Sequence, residues 1–509
     1  MAMTSAPTLR IGERAIPVDL PSVRDPRLHV AGVIITIHVL GQLGLGFAVS
    51  VPQILAAILT AALIEVMITL RQSGRLVWPA SAMLTGSGVA LIFRVLGTEP
   101  GDHWSFDGWH LFAVVAGGSL VTKYLIRHRG SPVFNPSNVG LVAGFLLLGS
   151  DRVEPLDFWW GPTSPALVLA YLVIIAGGIA ITRRLDLLAM AGAFWLALVA
   201  GLGALAATGQ CMTARWSFEP VCGSRLFWVI ATSPEVLVFL FFMITDPRTI
   251  PGSRRSRVWF AVGIAVASTL LITPQTTEFG AKVALLGGLV LMTGLRPLVT
   301  SLAEPRDRAA ASDRVGAAIS PVLAAAMAMA VFFAGPPSGA PAAPDTTAVP
   351  ATVDVEVDLG PIPQPTIDPA VGRIDPDLDQ AAAMDLAGRL ARDLAIEAIA
   401  FRDQDAELLS AADFGPRLNE MQQRLRIGVE SESIPVSTYT FDSLHVVVSL
   451  PQGPQGGAVR GLEGVGTVET VTYDLDGNET GKRSAPFALT FSMENRGNLW
   501  HIFHVVPTP

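Results

Sequence analysis

Charged residues are scarce in this chain: they make up 15% of its 509 positions, whereas apolar residues make up 50%. The apolar residues come in long runs rather than on one face of amphipathic elements, which excludes an ordinary soluble enzyme. The eight scattered His and two Cys provide no haem or zinc ligand spacing, so no metal site is predicted. No Gly-rich phosphate loop or nucleotide fingerprint occurs, which argues against direct NADH oxidation by this chain alone.

The long apolar runs predict a polytopic α-helical membrane protein. A helix needs ~20 mostly apolar residues to cross ~30 Å of hydrocarbon, and about eleven stretches before residue 340 meet this requirement. They are 29–50, 51–70, 77–97, 109–126, 138–150, 164–182, 185–208, 226–244, 257–273, 279–299 and 315–335. Two of them are weak, because 138–150 is short and 77–97 contains Arg94. Each is therefore a candidate re-entrant or broken helix.

The distribution of Lys and Arg predicts an orientation in a bacterial cytoplasmic membrane. Basic residues accumulate in alternate loops, at 71–75, 123–129, 183–184, 248–257 and 296–314. We expect these loops in the cytoplasm, so that residues 1–28 form a cytoplasmic tail and the C-terminal region lies outside. The segment before residue 29 has no apolar h-region, so no cleaved signal is predicted.

The two cysteines agree with this orientation. Cys211 and Cys222 lie in the loop between the seventh and eighth predicted spans, which the charge rule places outside. A disulfide there would close a loop of about 12 residues in an oxidising compartment, and two free thiols are the alternative. The net charge of −8 arises mostly in the C-terminal region, and it indicates no nucleic-acid partner.

The C-terminal region predicts a soluble domain after a linker. Residues 336–376 are rich in Pro, Ala and Thr, which is typical of a semi-extended linker. Within 377–509, amphipathic helical patterns precede strand-like runs, and residues 476–478 form a hairpin-turn signal. Helices followed by an antiparallel sheet indicate an α+β domain. This order resembles the nuclear-transport-factor-2-like (NTF2-like) fold, and we interpret the domain as an interaction or sensing module.

Short polar motifs interrupt the apolar runs. SAMLTG begins at Ser81 and makes one helix face small and polar, which is typical either of close helix packing or of a cavity lining. SPVFNPSNVG begins at Ser131, where Pro132 and Pro136 forbid a continuous helix. The asparagines of this motif can cap the next helix, whose N-terminus could in turn hold a polar or anionic ligand group.

A third motif, FFMITDPRT, begins at Phe241 and closes the eighth predicted span. Asp246 within it and Glu235 near the other end of the span are acids at membrane level, which are functional candidates by default. The alternative for Asp246 is a plain helix-terminating turn, with Arg248 alongside.

In this order, the three motifs resemble those of the RnfD and NqrB family, the flavin-carrying membrane subunits of Rnf electron-transport and sodium-pumping NADH:quinone oxidoreductase complexes. The resemblance covers residues 29–300, and 301–335 add one further span. It implies two inverted five-helix halves and a bound flavin, FMN or riboflavin, that exchanges electrons with redox partner proteins. The positions it implies for the flavin region are Ser81, Thr85, Gly86, Asn135, Pro136, Asn138, Thr245, Asp246 and Pro247.

One departure from the family concerns attachment of the flavin. Members with covalent FMN attach its phosphate to Thr in a Ser-Gly-Ala-Thr motif, whereas the stretch from Asp151 has Thr163 and Ser164 without that motif. This argues for noncovalent flavin and resembles a stand-alone branch that includes membrane proteins encoded with enediyne-biosynthesis genes. Two other hypotheses stay open: an inverted-repeat transporter or channel, and an anchor that presents the C-terminal domain. No catalytic residue is assigned.

Overall fold

The computed structural model describes residues 8–11, 14–303, 311–333, 357, 359–451, 453, 456–496 and 499–508. The chain divides into two compact units. The first, which we call the helical unit, comprises residues 1–212 and 222–340. The second, which we call the mixed unit, comprises residues 213–221 and 341–509.

The described part of the helical unit is built from α-helices. They are α1 (Pro26–Leu43), α2 (Val51–Ser73), α3 (Ala80–Ile92), α4 (Trp109–Leu125), α5 (Pro136–Leu148), α6 (Pro165–Arg184), α7 (Leu188–Ala207), α8 (Gly223–Thr232), α9 (Pro234–Val238), α10 (Arg254–Ile272), α11 (Glu278–Ala303) and α12 (Ala311–Phe333). Eight helical segments among the described residues are long and apolar enough to cross a membrane. They lie in α1, α2, α6, α7, the run Gly223–Met243, α10, α11 and α12.

The other three predicted spans form shorter helices. Helix α4 has 17 residues, whereas α3 and α5 have 13 each. At ~1.5 Å per residue, 13 residues extend ~20 Å, which is less than the ~30 Å of a bilayer core. These two short helices occupy the weak stretches at 77–97 and 138–150, and α3 stops where Phe93–Val95 becomes extended.

The helix contacts divide most of this unit into two similar halves. In the first half α2 packs on α3 and α4, and α4 packs on α5. In the second half α7 packs on α8 and α10, and α10 packs on α11. Across the halves, the first helices α1 and α6 touch, as do the fifth helices α5 and α11.

The eighth predicted span, 226–244, is not one continuous helix. Helix α8 ends at Thr232, and the Ser233 hydroxyl accepts a hydrogen bond from the Glu235 N–H at 3.1 Å to start α9 at Pro234. Proline at the first position of α9 needs no hydrogen-bond partner for its nitrogen, so a new helix can begin there. A π-helical turn, Phe239–Met243, then continues α9.

Short strands pair in the loops of the helical unit. They are β1 (Thr8–Ile11), β2 (Arg14–Asp19), β3 (Leu76–Val77), β4 (Phe93–Val95), β5 (Arg127–His128), β6 (Ser131–Pro132), β7 (Val153–Pro155), β8 (Cys211–Met212) and β9 (Val221–Cys222). Strand β4 pairs antiparallel with β7, which joins the end of α3 to the segment after α5. Strands β8 and β9 pair with each other, and a disulfide bond joins Cys211 to Cys222.

The mixed unit contains a five-stranded sheet and helices that precede most of it. The helices are α13 (Pro369–Ile374), α14 (Gln380–Asp403) and α15 (Gly415–Glu430), and the strands are β10 (Thr366–Ile367), β11 (Ile434–Ser449), β12 (Val459–Tyr473), β13 (Glu479–Arg496) and β14 (Leu499–Pro507). The sheet order follows the chain order, with β10 parallel to β11 and the other pairs antiparallel. The chain is thus mostly helical, with a sheet-rich C-terminal domain, as the order of patterns predicts.

Helix α14 supplies one side of the core of the mixed unit. Its Leu386 and Leu390, four residues apart and therefore on one face, pack with strand residues Val446, Leu462 and Phe491. The turn between β12 and β13 is the predicted hairpin, where Gly477 has a φ of 82° that favours glycine.

The predicted linker, 336–376, lies partly outside the described residues. Its last part is structured, because Thr366 pairs with His445 in the sheet and α13 follows directly.

Candidate functional site

The three polar motifs meet at one cavity in the helical unit. Its volume is about 340 Å³, and it lies between α3, the N-terminal end of α5 and the turn that follows the π-helical segment. Seven of the nine positions implied by the resemblance line it: Ser81, Thr85, Asn135, Pro136, Thr245, Asp246 and Pro247. Asn135 and Thr245 are 110 positions apart in the sequence, so only folding brings the motifs together.

Asn135 joins the two halves of the unit at the edge of this cavity. Its Oδ1 accepts hydrogen bonds from the Ser137 hydroxyl at 2.9 Å and from the Asn138 N–H at 3.3 Å, which caps α5. Its Nδ2 donates to the Met243 carbonyl at 3.1 Å, at the end of the π-helical turn. The amide thus fixes the relative position of the second and third motifs and orients the start of α5 toward the cavity.

The two remaining positions, Gly86 and Asn138, do not line the cavity. A Cβ atom at Gly86 would lie 2.5 Å from the Ala57 carbonyl oxygen, so this glycine permits close packing of α3 on α2. Asn138 is buried, and its Nδ2 donates to the Leu286 carbonyl of α11 at 3.0 Å. Both residues support the walls of the cavity.

The turn after the π-helical segment contributes a carboxylate to the cavity lining. Asp246 Oδ1 accepts the Arg248 N–H at 3.1 Å, and the Thr245 hydroxyl donates to the Phe241 carbonyl at 2.5 Å. Asp246 therefore does cap the turn that ends this helical segment, which was the alternative to a functional role. It also lines the cavity, so capping the turn and serving the site do not exclude each other.

Three cationic side chains also line the cavity, and the resemblance did not imply any of them. They are Arg27, Lys123 and Arg248. Lys123 Nζ lies 2.8 Å and 2.9 Å from the two carboxylate oxygens of Glu65 and donates to Ser81 Oγ at 3.3 Å. Arg27 is paired with Asp25 on its own helix end. In the sequence, Lys123 and Arg248 are visible only as loop charge.

Apart from Ser137, the rest of the lining is apolar and includes two aromatic rings, Phe241 and Phe242. Gly88 also faces the cavity, and a Cβ there would meet only Ser137 at an ordinary 3.5 Å. A mostly apolar cleft of a few hundred cubic ångströms with a few placed polar groups is typical of a cofactor or small-molecule site.

The mixed unit has a different kind of site, a buried cluster of ionisable groups between α14 and α15. Arg417 donates to both oxygens of Glu397, at 2.9 Å and 3.0 Å, and its Nε lies 3.9 Å from Asp413 Oδ1. Asp393 and Asp413 are each 2% exposed. Burial raises the pKa of both aspartates well above the usual range.

The cavity beside this cluster is small. It has a volume of about 20 Å³ and is lined by Glu397, Arg417 and Tyr439, among others. That volume holds about one water molecule. In the part of the chain that the structure describes, this cluster therefore offers no room for an organic ligand.

Comparison with known proteins agrees with the class that the helices define. No protein-family model matches the chain. The chain is 28% identical over 218 residues to the RnfD component of the ion-translocating oxidoreductase complex of Stutzerimonas stutzeri. The match covers 42% of this chain and 54% of that protein, so the chain spans about half the length of the curated relative it matches. With its eight long apolar helices, the chain is a multi-pass membrane protein with distant similarity to an RnfD-type subunit.

Proposed function

We propose that the helical unit is an electron-transfer subunit of a membrane redox complex and that it holds a flavin noncovalently in the 340 Å³ cavity. The observation that carries this proposal is the convergence of seven motif positions on that one cavity. The similarity to a component of an ion-translocating oxidoreductase complex supports it. Partner subunits would supply and remove the electrons.

The residues around the cavity fit a flavin. The volume is within the range of ~300–1,000 Å³ for small-molecule sites, and the Phe241 and Phe242 rings provide flat apolar surface. Ser81 and the α5 N-terminus face the cavity with hydrogen-bonding groups, and Lys123 and Arg248 add positive charge. Positive charge in the lining suits the phosphate of FMN better than the neutral side chain of riboflavin. A bound flavin would supply one-electron chemistry, and the protein would set its position and potential.

An absorption spectrum of the full-length protein, purified in detergent, tests this proposal. We expect a flavin spectrum, and acid precipitation should release the chromophore into the supernatant because the attachment is noncovalent. Chromatography of the supernatant then distinguishes FMN from riboflavin. A folded but colourless protein would refute flavin binding, and a chromophore that stays with the precipitate would refute noncovalent attachment.

A matched pair of variants locates the flavin in the cavity. Gly88→Leu places a branched side chain into the cavity, whereas Gly118→Leu places the same side chain into open space on α4. Both changes remove a helical glycine, so their intrinsic effects on helix stability are alike, at about 1 kcal/mol. We expect Gly88→Leu to lose the flavin and Gly118→Leu to keep it. Equal retention would exclude this cavity as the site.

A transporter or channel is the second candidate, favoured by the broken run α8–α9 and by the short helices α3 and α5. Discontinuous helices of this kind line substrate sites in inverted-repeat transporters. The test is uptake of solutes or ions into proteoliposomes that contain this protein and no redox partner. Uptake by a protein without flavin would favour the transporter over the electron-transfer subunit.

We also propose that the N-terminus lies in the cytoplasm and the sheet-rich domain outside a bacterial cytoplasmic membrane. The alternating basic loops and the Cys211–Cys222 disulfide support this orientation. For the sheet-rich domain we propose an NTF2-like fold and a role in interaction or sensing. Alkaline phosphatase fused after residue 508 should be active, and a fusion in the loop at residue 75 should be inactive. The reverse pattern would overturn the orientation.

A further inference from the structure

Glu235 is buried at the break in the eighth predicted span. It is the second residue of α9, directly after the break at Ser233, and it is 2% exposed. Its Oε2 atom has no hydrogen-bond partner among the residues that the structure describes. Neither α9 nor the cavity described above explains a carboxyl group at this position.

The buried ammonium group of Lys282 contacts groups other than Glu235. Lys282 is 2% exposed, and its Nζ lies 3.1 Å from the Pro155 carbonyl, 3.2 Å from Asp157 Oδ1 and 3.3 Å from Glu278 Oε1. The Pro155 carbonyl and Asp157 accept two of the three N–H donors of this ammonium group, and Glu278 is its ion-pair partner. Among the described residues, no hydrogen bond joins Lys282 to Glu235.

The charges that act on Glu235 come from three other elements. Lys282 and Glu278 lie on α11, Asp157 follows β7, and Arg94 lies on β4. Arg94 Nη1 donates to the carbonyls of Ala90 and Phe93, at 3.1 Å and 2.7 Å, and Arg94 Nη2 has no hydrogen-bond partner among the described residues, so Arg94 makes no hydrogen bond to Glu235 through either atom.

Two carboxylates already accompany Lys282, so an ionised Glu235 would add a further negative charge to a buried site. An ionised carboxylate without hydrogen bonds costs several kcal/mol to bury, whereas the neutral acid costs much less.

We propose that Glu235 is a proton-binding site inside the membrane domain, where it holds one proton as the neutral acid. On release, the O–H bond of Glu235 breaks and water takes up the proton. The ionic network of Lys282, Glu278 and Asp157 extends to the surface of the unit, because the side chain of Asp157 is 43% exposed. The proposal does not depend on a flavin in the cavity, since none of these residues lines that cavity.

Infrared spectroscopy of the full-length protein in detergent tests this directly. A neutral carboxyl group without a hydrogen bond on its carbonyl absorbs at the high-frequency end of the carboxylic acid region. We expect this band at neutral pH in the unmodified protein and its loss in Glu235→Gln. The matched control is Glu65→Gln, which should keep the band, because Glu65 forms an ion pair with Lys123 at 2.8 Å and is not the unpaired acid.

Labelling with ¹³C on glutamate alone makes the test independent of any variant. It shifts the band of Glu235 and leaves the bands of the buried aspartates of the mixed unit unchanged. Raising the pH should then diminish the shifted band as Glu235 loses its proton. A labelled protein with no protonated glutamate at neutral pH, or a Glu235→Gln spectrum identical to that of the unmodified protein, would overturn the proposal.

Discussion

Replacement of Arg417 by Met should strongly destabilise the sheet-rich domain. The side chain of Arg417 is 5% exposed and makes two charged hydrogen bonds to Glu397, at 2.9 Å and 3.0 Å. Met keeps much of the apolar volume but leaves Glu397 without its cation. Removing one partner of a buried ion pair costs about 3–5 kcal/mol, because the other charge stays desolvated and unpaired.

Hydrogen exchange of the α14 and α15 amides in the full-length protein measures this effect locally. A loss of about 3–5 kcal/mol corresponds to exchange roughly a hundred to several thousand times faster, if these amides exchange through unfolding of the domain. The matched control is Arg424→Met on the same helix. The side chain of Arg424 is 48% exposed and lies 3.9 Å from Glu420, so its loss should cost about 0.5 kcal/mol or less. Equal effects of the two substitutions would refute the reasoning.

Two further predictions concern a titration and a helix contact. Burial raises the pKa of Asp393 and Asp413, so the folded domain keeps protons that the unfolded chain releases above about pH 4. The stability that these two groups contribute is therefore fully present below that pH and falls as the pH rises toward the folded pKa values. Asp413→Asn should flatten this decline in thermal unfolding at several pH values, and parallel curves would contradict it. Gly86→Ala should cost about 1–3 kcal/mol, because its Cβ would lie 2.5 Å from the Ala57 carbonyl. Gly118→Ala, in open space, should gain about 0.5–1 kcal/mol, and equal melting temperatures would refute the contrast.

The sequence predicts where the helices of this protein lie better than it predicts where a helix is interrupted. A long apolar run has few alternatives to a helix in a bilayer, because backbone groups must find partners within their own segment. The stretches at 77–97 and 138–150 are weak on account of Arg94 and of length, and both form short helices. Neither length nor charge predicts the break at Ser233. Ser-Pro is a common start of a helix, and only the packing of neighbouring segments decides whether another helix ends directly before it.

In the C-terminal domain, local patterns predict the order of the elements, and pairing sets the boundaries. The Asp-Gly-Asn turn is recognisable because few residues besides glycine tolerate the positive φ found at Gly477. Strand β10 is not recognisable, because its two residues are held by β11 and lie in a segment whose composition is that of a linker. The ion pair of Glu397 and Arg417 joins two helices and has no local pattern that reveals it.

The sequence by itself is sufficient for the class of this protein: a multi-pass membrane body followed by a sheet-rich domain. The long apolar runs predict the first part, and the order of helix and strand patterns predicts the second. Both signals are readable because hydrophobic length and residue periodicity act locally along the chain. The tertiary structure alone decides that Asn135 reaches Met243, that Lys123 faces the cavity and that Lys282 donates to Asp157. Each of these depends on which residues from distant segments share a few ångströms of space, and no local pattern encodes that distance.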